Sequence, residues 1–512
     1  MSPVKLKIRH SDLKIRHSDQ SNICRDFGQA YAKTFNVVNY GAIGNGSIED
    51  TQAFLDAWKA TCNSSDSSPI MTVPGGNSFL LQPFTLDGSN CKSTSISIVI
   101  DGELIAPKNP SAWKYKGKEC RQWILLKHMK GLVIKGSGTI NGRGNTWWHL
   151  SCKNKNKRCC RRKPTGLILE HSEKVHIKDL AFKDSPQMHM AIERSKYVYV
   201  KNLNIQAPSE SPNTDGIHIQ HSRKIVISMS NIRTGDDCIS IGDGSYRINI
   251  SSIACGPGHG ISIGSLGKHG GHETVEFVNV KDVIFTGTTN GARIKTWQGG
   301  SGYARNINFE GIISRGSSNP IIIDQFYCDH EKCKNQTSAV KISNVVYSKI
   351  SGTSRSKIAV NLACSESVPC RNIFMKDIEL GSIHEDEQQI TSSYCGNVVN
   401  GLMDGTVIPT VPCLNPMSTL TVPILYDSRF NERDNYIIDY KVAEIDFHDQ
   451  MSFLEFQQLV VDKISSVGNC GNVEIIACVG SKDFIKKDLK LREDNDIRWL
   501  FYLISSGENF AH

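Results

Sequence analysis

Asp215-Gly-Ile217-His-Ile219, then Asp237-Cys-Ile239-Ser-Ile241, then His259-Gly-Ile261-Ser-Ile263 recur at a fixed step of 22 residues in a 512-residue chain. Each unit is a short period-2 strand behind a Gly- or Asn-rich turn, too short to be a helix. Working outward, the same alternation starts at Leu167, Met190, Ala292, Ile321 and Ile358. A repeat of this size with two or three strands per unit marks a solenoid. One unit cannot bury its inward Leu, Ile and Val, whereas stacked coils bury them in one continuous column. The predicted fold is therefore all-β, a right-handed parallel β-helix. A β-propeller, the nearest alternative, uses repeats of about 40 residues. Upstream, Tyr40-Gly-Ala-Ile-Gly-Asn45 leads into a segment where Ala53, Phe54, Ala57 and Trp58 fall at helical spacing. This predicts a short helix, N-capped by Asp50 or Thr51, that closes the open end of the solenoid.

The repeat also predicts a column of chemistry. Asp215, Asp237 and His259 each lie two residues before the first isoleucine of their strand. Shared register places them on successive coils, about 4.8 Å apart. Asp236 adds a third carboxylate, one residue out of register. Next come Arg293 and Lys295, which flank Ile294 and so share the face opposite it. Alone, each turn reads as an ordinary loop; the common register marks a site. Crowded carboxylates raise the pKa of at least one of them. Glycoside hydrolysis needs that combination of one protonated and one ionised carboxyl. Arg293 and Lys295 suit a substrate that carries carboxylates of its own.

Composition limits the partners. The formal net charge is +8, which suits a polyanion. Part of it lies in the run Lys153–Lys163, which lacks the interleaved aromatics that stack nucleic-acid bases. No stretch reaches the roughly 18 apolar residues of a membrane span. Seventeen cysteines point to an oxidising compartment. The close pairs Cys238/Cys255, Cys328/Cys333, Cys364/Cys370 and Cys395/Cys413 suggest disulfides, although spacing does not fix connectivity. No C-x-x-C pair is matched by a second at zinc spacing. Asn45, Asn63, Asn249 and Asn335 open glycosylation sequons.

At these residues the sequence resembles glycoside hydrolase family 28, the polygalacturonases, and most closely its plant members. The signatures are Ser211-Pro-Asn-Thr-Asp215-Gly216, Gly235-Asp-Asp-Cys238, Cys255-Gly-Pro-Gly-His259 running on to Gly267, and Arg293-Ile-Lys295. The resemblance spans about residues 35–414 and includes Ser185-Pro-Gln-Met-His189 and Ile321–Cys328. It implies hydrolysis of α-1,4-D-galacturonosyl bonds with inversion, without metal or organic cofactor. By motif, Asp236 resembles the general acid. Asp215 and Asp237 resemble the pair that activates water, and His259 the residue that tunes the acid. Arg293 and Lys295 look like binders of substrate carboxylates, and Tyr327 like the aromatic residue that positions the sugar. Inversion predicts carboxyls about 6.5–9.5 Å apart. The expected partner is an acidic polysaccharide, with no nucleic acid or membrane, and the chain reads as a monomer secreted to the cell wall. Phe326 stands where plant relatives often carry Asn, and Lys268–Glu273 departs from the family in a variable loop. Endo action is expected. Exo action and a catalytically silent pectin-binding β-helix are the alternatives.

The flanks read differently. Residues 1–34 hold no apolar run of signal-peptide length and contain a perfect tandem heptad, Leu6–Asp12 and Leu13–Asp19, expected to be an unpacked extension. Residues 415–512 lose the repeat. Strand patterns at 436–442 and 473–478 and helix patterns at 452–462 and 494–502 suggest a small α+β tail. It resembles the ubiquitin-like N-terminal segment of plant Mutator-type transposases, as a gene-model fusion would, and no enzymatic role is expected of it.

Overall fold

The computed structural model describes residues 32–115, 121–150, 163–329, 333–383 and 390–416, together with the strands 422–431, 436–445 and 476–477. Each coil of a right-handed parallel β-helix sends one strand to an eleven-stranded sheet that runs from Phe84–Asp87 to Ser392–Gly396. The remaining strands of the coils form a sheet of 21 strands. Leu167, Met190, Ile217, Ile239, Ile261, Ala292 and Ile321 stack in register, as the repeat predicts. Val360, not Ile358, continues the column above Ile321. Both residues have inward parity, but Ile358 overhangs the start of its strand and is 39% exposed. The column also extends upstream to Ile124 and Phe84, in coils whose alternation is too irregular to register from sequence.

Packing explains why one unit would fail alone. Ile217, Ile239, Ile261 and Ile294 are each 0% exposed, and their cover is the isoleucine of the adjacent coil. Full burial of such a side chain is worth about 1.5–3 kcal/mol, available only once neighbours have stacked. The α-helix Thr51–Cys62 closes the N-terminal end. It buries Ala53, Phe54, Ala57 and Trp58, and Phe54 meets Phe79 and Phe84 edge-on at 5.4 and 6.3 Å. Asp50 occupies the N-cap position but does not cap. Its carboxylate accepts instead from the N–H groups of Ile43 (2.7 Å) and Gly44 (3.2 Å), tying down the Gly-rich turn. Thr51 Oγ1 likewise accepts from Gln82 N–H rather than from its own helix.

All four close cysteine pairs are bridged. Cys62–Cys91, 29 residues apart, adds a bridge that spacing did not suggest and pins the helix end to the next loop. In the tail, Val422–Asn431 pairs antiparallel with Tyr436–Ile445 and with Ile476–Ala477, matching the strand patterns there. The helix patterns at 452–462 and 494–502, the tandem heptad and residues 153–162 of the basic run lie outside the described residues. Among the described residues no helix is long and apolar enough to cross a membrane.

Candidate active site

The three aspartates converge just before the strands Ile217–Gln220 and Ile239–Ile241. The backbone ladder continues through their turns, with Gly216 N–H donating to Asp237 O and Cys238 N–H to Gly260 O. Gly260 permits this approach. Its φ is +84°, and a Cβ there would stand 2.2 Å from Asn290 O, closer than any side chain tolerates. The carboxylates of Asp215, Asp236 and Asp237 are 7%, 7% and 1% exposed, so each needs partners.

Each has a different set. Asp237 Oδ2 accepts from Lys295 Nζ at 2.7 Å, and its Oδ1 accepts from Ser262 Oγ at 2.8 Å. Asp236 Oδ1 accepts from Asp237 N–H and lies 2.9 Å from His259 Nδ1. Its Oδ2 accepts from Asn213 N–H at 3.2 Å. Asp215 receives one hydroxyl, from Ser240 Oγ at 2.7 Å. Burial, reinforced by the charges of Asp236 and Asp237, pushes Asp215 up to about 8, against the opposing pull of Ser240 and Lys295. Asp215 is therefore the carboxyl of the three that burial and its neighbours push toward protonation, while Lys295 pairs with Asp237.

The predicted ladder needs one correction. His259 is in backbone register with Asp237, yet its ring bonds to Asp236, the carboxylate that register left unplaced. Lys295, expected at the substrate, donates to Asp237 Oδ2 at 2.7 Å. Arg293 lies 5.6 Å and Lys295 5.4 Å from the Tyr327 ring centre, so these three predicted residues do meet. Tyr327 also packs edge-on against Trp297 at 5.3 Å. Single oxygens of Asp236 and Asp237 lie within 4.8 Å of each other and of a His259 nitrogen.

The Glycosyl hydrolases family 28 model matches residues 62–402. The chain belongs to this family. A protein of Arabidopsis thaliana named as a probable polygalacturonase is 45% identical over 384 residues, covering 75% of this chain and 84% of that protein. The polygalacturonase of Malus domestica is 43% identical over 372 residues, covering 72% and 79%. Among solved structures, the endo-xylogalacturonan hydrolase of Aspergillus tubingensis superposes with a TM-score of 0.59 at 21% identity, covering 75% of this chain and 99% of that one. That likeness shows the fold.

Three residues of this family 28 site escaped the sequence reading. His218, Ser240 and Ser262 lie between the paired isoleucines of their strands and stack in register with Arg293. Ser240 and Ser262 bond directly to Asp215 and Asp237. The signal was present, since the residue between two inward isoleucines must point outward, at the end of the strand where the aspartates lie. His189 was noted only within a motif. It is 1% exposed, with Nδ1 3.2 Å from Asp215 O and Nε2 accepting from Ser185 N–H at 3.3 Å. Burial holds it down at about 4, so it supports the Asp215 turn as a neutral ring. Asp236, Asp237 and His259 are donors of a kind that can hold a cation, but Lys295 and the His259 ring already supply partners from the chain itself.

Proposed function

We propose that this family 28 enzyme, a hydrolase of the α-1,4-galacturonosyl backbone of polygalacturonan, cuts within the polymer and with inversion. Asp236 is the acid, and Asp215 and Asp237 activate the water. The observation that carries the reading is that the three buried carboxylates have different partners: Asp237 is ion-paired to Lys295, Asp236 alone meets the part-exposed His259 ring, and Asp215 accepts from the Ser240 hydroxyl. An acid–base pair needs one carboxyl in each state. His259 on Asp236 tunes the acid, and its exposed side faces the incoming substrate. Arg293 and Tyr327 receive a sugar and its carboxylate, Arg through its planar fork. Lys295 serves mainly as the ion-pair partner of Asp237.

Internal cutting is supported by the site's place in the sheet. Four strands stand on each side of the three that carry Asp215, Asp237 and His259, so a polymer has protein beneath it in both directions from the cut. Extracellular action is supported by the disulfides and by the exposure of all four sequon asparagines. We assign catalysis to residues 35–414 and none of it to 415–512, which contributes no residue to the site described.

The test is reducing-sugar release from polygalacturonic acid by the full chain made in a secretory host, beside Asp236→Asn. Short oligomers from wild type and none from the variant are expected. Release of monomer alone would replace endo with exo action, and a folded but inactive wild type would end the catalytic reading. Proton NMR of the first product should show the β anomer. An α anomer appearing first would mean retention, the outcome that closely spaced carboxyls more often give.

A further inference from the structure

The far edge of the eleven-stranded sheet, at the opposite strand ends from the aspartates, carries a second organised surface. There the chain turns a corner into the larger sheet, in the same way on successive coils. His128, His171, Arg194 and His221 each adopt a left-handed conformation, with φ of 54°, 48°, 48° and 48°. The next residues turn inward, and the hydroxyls of Ser172, Ser195 and Ser222 accept from Met129, Ser172 and Ser195 N–H, all at 3.0 Å. One position further, Lys130, Glu173, Lys196, Arg223 and Tyr246 form a second aligned column. Between the two columns, over the serine floor, lies an open groove of about 790 Å³. It crosses the coils along the solenoid axis, with one side chain per wall about every 4.8 Å.

The walls differ in charge. Acids back the first wall: Asp87 lies 3.2 Å from His128, Glu170 3.6 Å from both His171 and Arg194, and Asp243 3.7 Å from His221. Glu193 adds a further contact to Arg194 at 3.5 Å. The second wall is cationic. Glu173 is taken up by Lys196 at 3.1 Å, while Lys130 and Arg223 have no ion-pair partner among the described residues. Beside them, Lys224 Nζ lies 4.8 Å over the Tyr197 ring and Arg247 4.9 Å over the Tyr246 ring. A cation next to a half-exposed aromatic face suits a sugar that carries a carboxylate.

We propose that this corner groove is a second binding track for a polyuronate chain. Lys130 and Arg223, on the cationic wall, meet its carboxylates. The proposal rests on the polygalacturonan-hydrolase reading for the identity of the polymer. Its consequence is that the enzyme holds its substrate outside the catalytic site while cutting inside it. A uronate polymer is favoured over nucleic acid because Tyr246, the tyrosine that lines the groove, already packs edge-on with Phe277 at 5.4 Å and beside Arg247, so the groove offers no slot for a base between two rings.

The experiment compares the full chain with its Lys130→Gln/Arg223→Gln double variant, checked for an unchanged melting temperature. The readout is the ratio of KM on long polygalacturonate to KM on a galacturonate trimer, with retention on immobilised polygalacturonate measured in the Asp236→Asn background. Loss of two partly screened contacts should raise the ratio about fivefold and shorten retention at low salt, an effect that 1 M salt removes. An unchanged ratio with unchanged retention overturns the groove. Retention of an oligonucleotide of equal charge, with none of polygalacturonate, overturns the uronate assignment. If wild type cleaves nothing yet retention still falls in the double variant, the hydrolase reading fails and the groove stands.

Discussion

The Ser240 hydroxyl lies 2.7 Å from Oδ2 of Asp215. It is also 2.8 Å from Nδ1 of His218, whose Nε2 lies 3.3 Å from Gln220 Oε1. The Ser240 hydroxyl donates to Asp215 and its oxygen faces Nδ1 of the His218 ring, so the three groups form one hydrogen-bonded row beside the aspartates. Burial, which lowers the His218 pKa, keeps the ring neutral. Ser240 thus positions the Asp215 carboxylate without touching substrate.

Ser240→Ala should therefore act on kcat and on pH dependence more than on KM. The lost hydroxyl is one of the groups that hold the Asp215 pKa down, so the acidic limb of the kcat profile should move to higher pH. Hydrogen bonds to charged groups are worth about 1.5–3 kcal/mol, a kcat loss of about 10- to 100-fold. Ser240→Thr should recover most of it. An unmoved acidic limb in Ser240→Ala would remove the serine from the mechanism.

Lys295→Met should be worse than the loss of a substrate contact. It leaves Asp237, 1% exposed, without its ammonium. Breaking a buried pair from one side costs about 3–5 kcal/mol. A large drop in melting temperature is expected, together with loss of activity. Adding Asp237→Asn should restore much of the melting temperature but none of the activity. Equal melting temperatures for the single and double variants would show that the pair is uncoupled.

Stability should vary with pH through two opposed groups. Asp215 rises from 3.8 to about 8 on folding, so the folded chain keeps a proton that the unfolded chain releases. That contribution is full below 3.8 and is lost as pH rises through 8. His189 falls from 6.5 to about 4; its contribution is full above 6.5 and is lost as pH falls through 4. The two slopes cancel between about 4 and 6.5, leaving a net decline from 6.5 to 8 of about 2 kcal/mol at roughly 1.4 kcal/mol per pH unit. Asp215→Asn should abolish this decline and expose the His189 slope, so that stability falls from pH 6.5 to 4. Thermal melts across this range decide it, and a variant with the wild-type profile would count against the Asp215 assignment.

Gly260→Ala should damage both fold and catalysis. Its φ of +84° disfavours a side chain, and the added Cβ would press on Asn290 O. The forced shift separates the coil of His259 from that of Arg293. A clear fall in melting temperature and in kcat is expected, and a near-neutral result would show that the two coils tolerate spreading.

The fold was legible because one side chain per coil repeats at one position, and that column alone fixes register from Leu167 to Ile321. Where inward parity is shared by an overhanging residue, as at Ile358, arithmetic chooses wrongly, since only packing tells which of two residues has a neighbour. Asp215, Asp237, Arg293 and Lys295 were readable for the same reason. The His259–Asp236 contact was not, because register fixes backbones and leaves side-chain direction open. Nor was the division of labour between the cations: whether Lys295 serves the enzyme or the substrate depends on a 2.7 Å distance that no spacing encodes. The partners of Asp50 were hidden too, since a loop can claim a carboxylate placed to cap a helix.

The parallel stacking of coils has a consequence for assembly. Every group from Asp215 to Lys295 comes from one uninterrupted stretch of chain, and each coil touches chiefly the one before it. The side-chain contacts that join the coils of the centre span 22 to 58 residues of sequence, so they form as successive coils stack and not as local turns. As the chain emerges in order, Asp215 and Asp237 are laid down before Lys295 arrives to neutralise one of them. The nascent solenoid must carry mutually repelling carboxylates until the coil at Asn290–Trp297 docks. Completion of the active centre is therefore also the step that relieves electrostatic strain in the growing stack, and chains that stop short of Lys295 should be the ones that quality control removes.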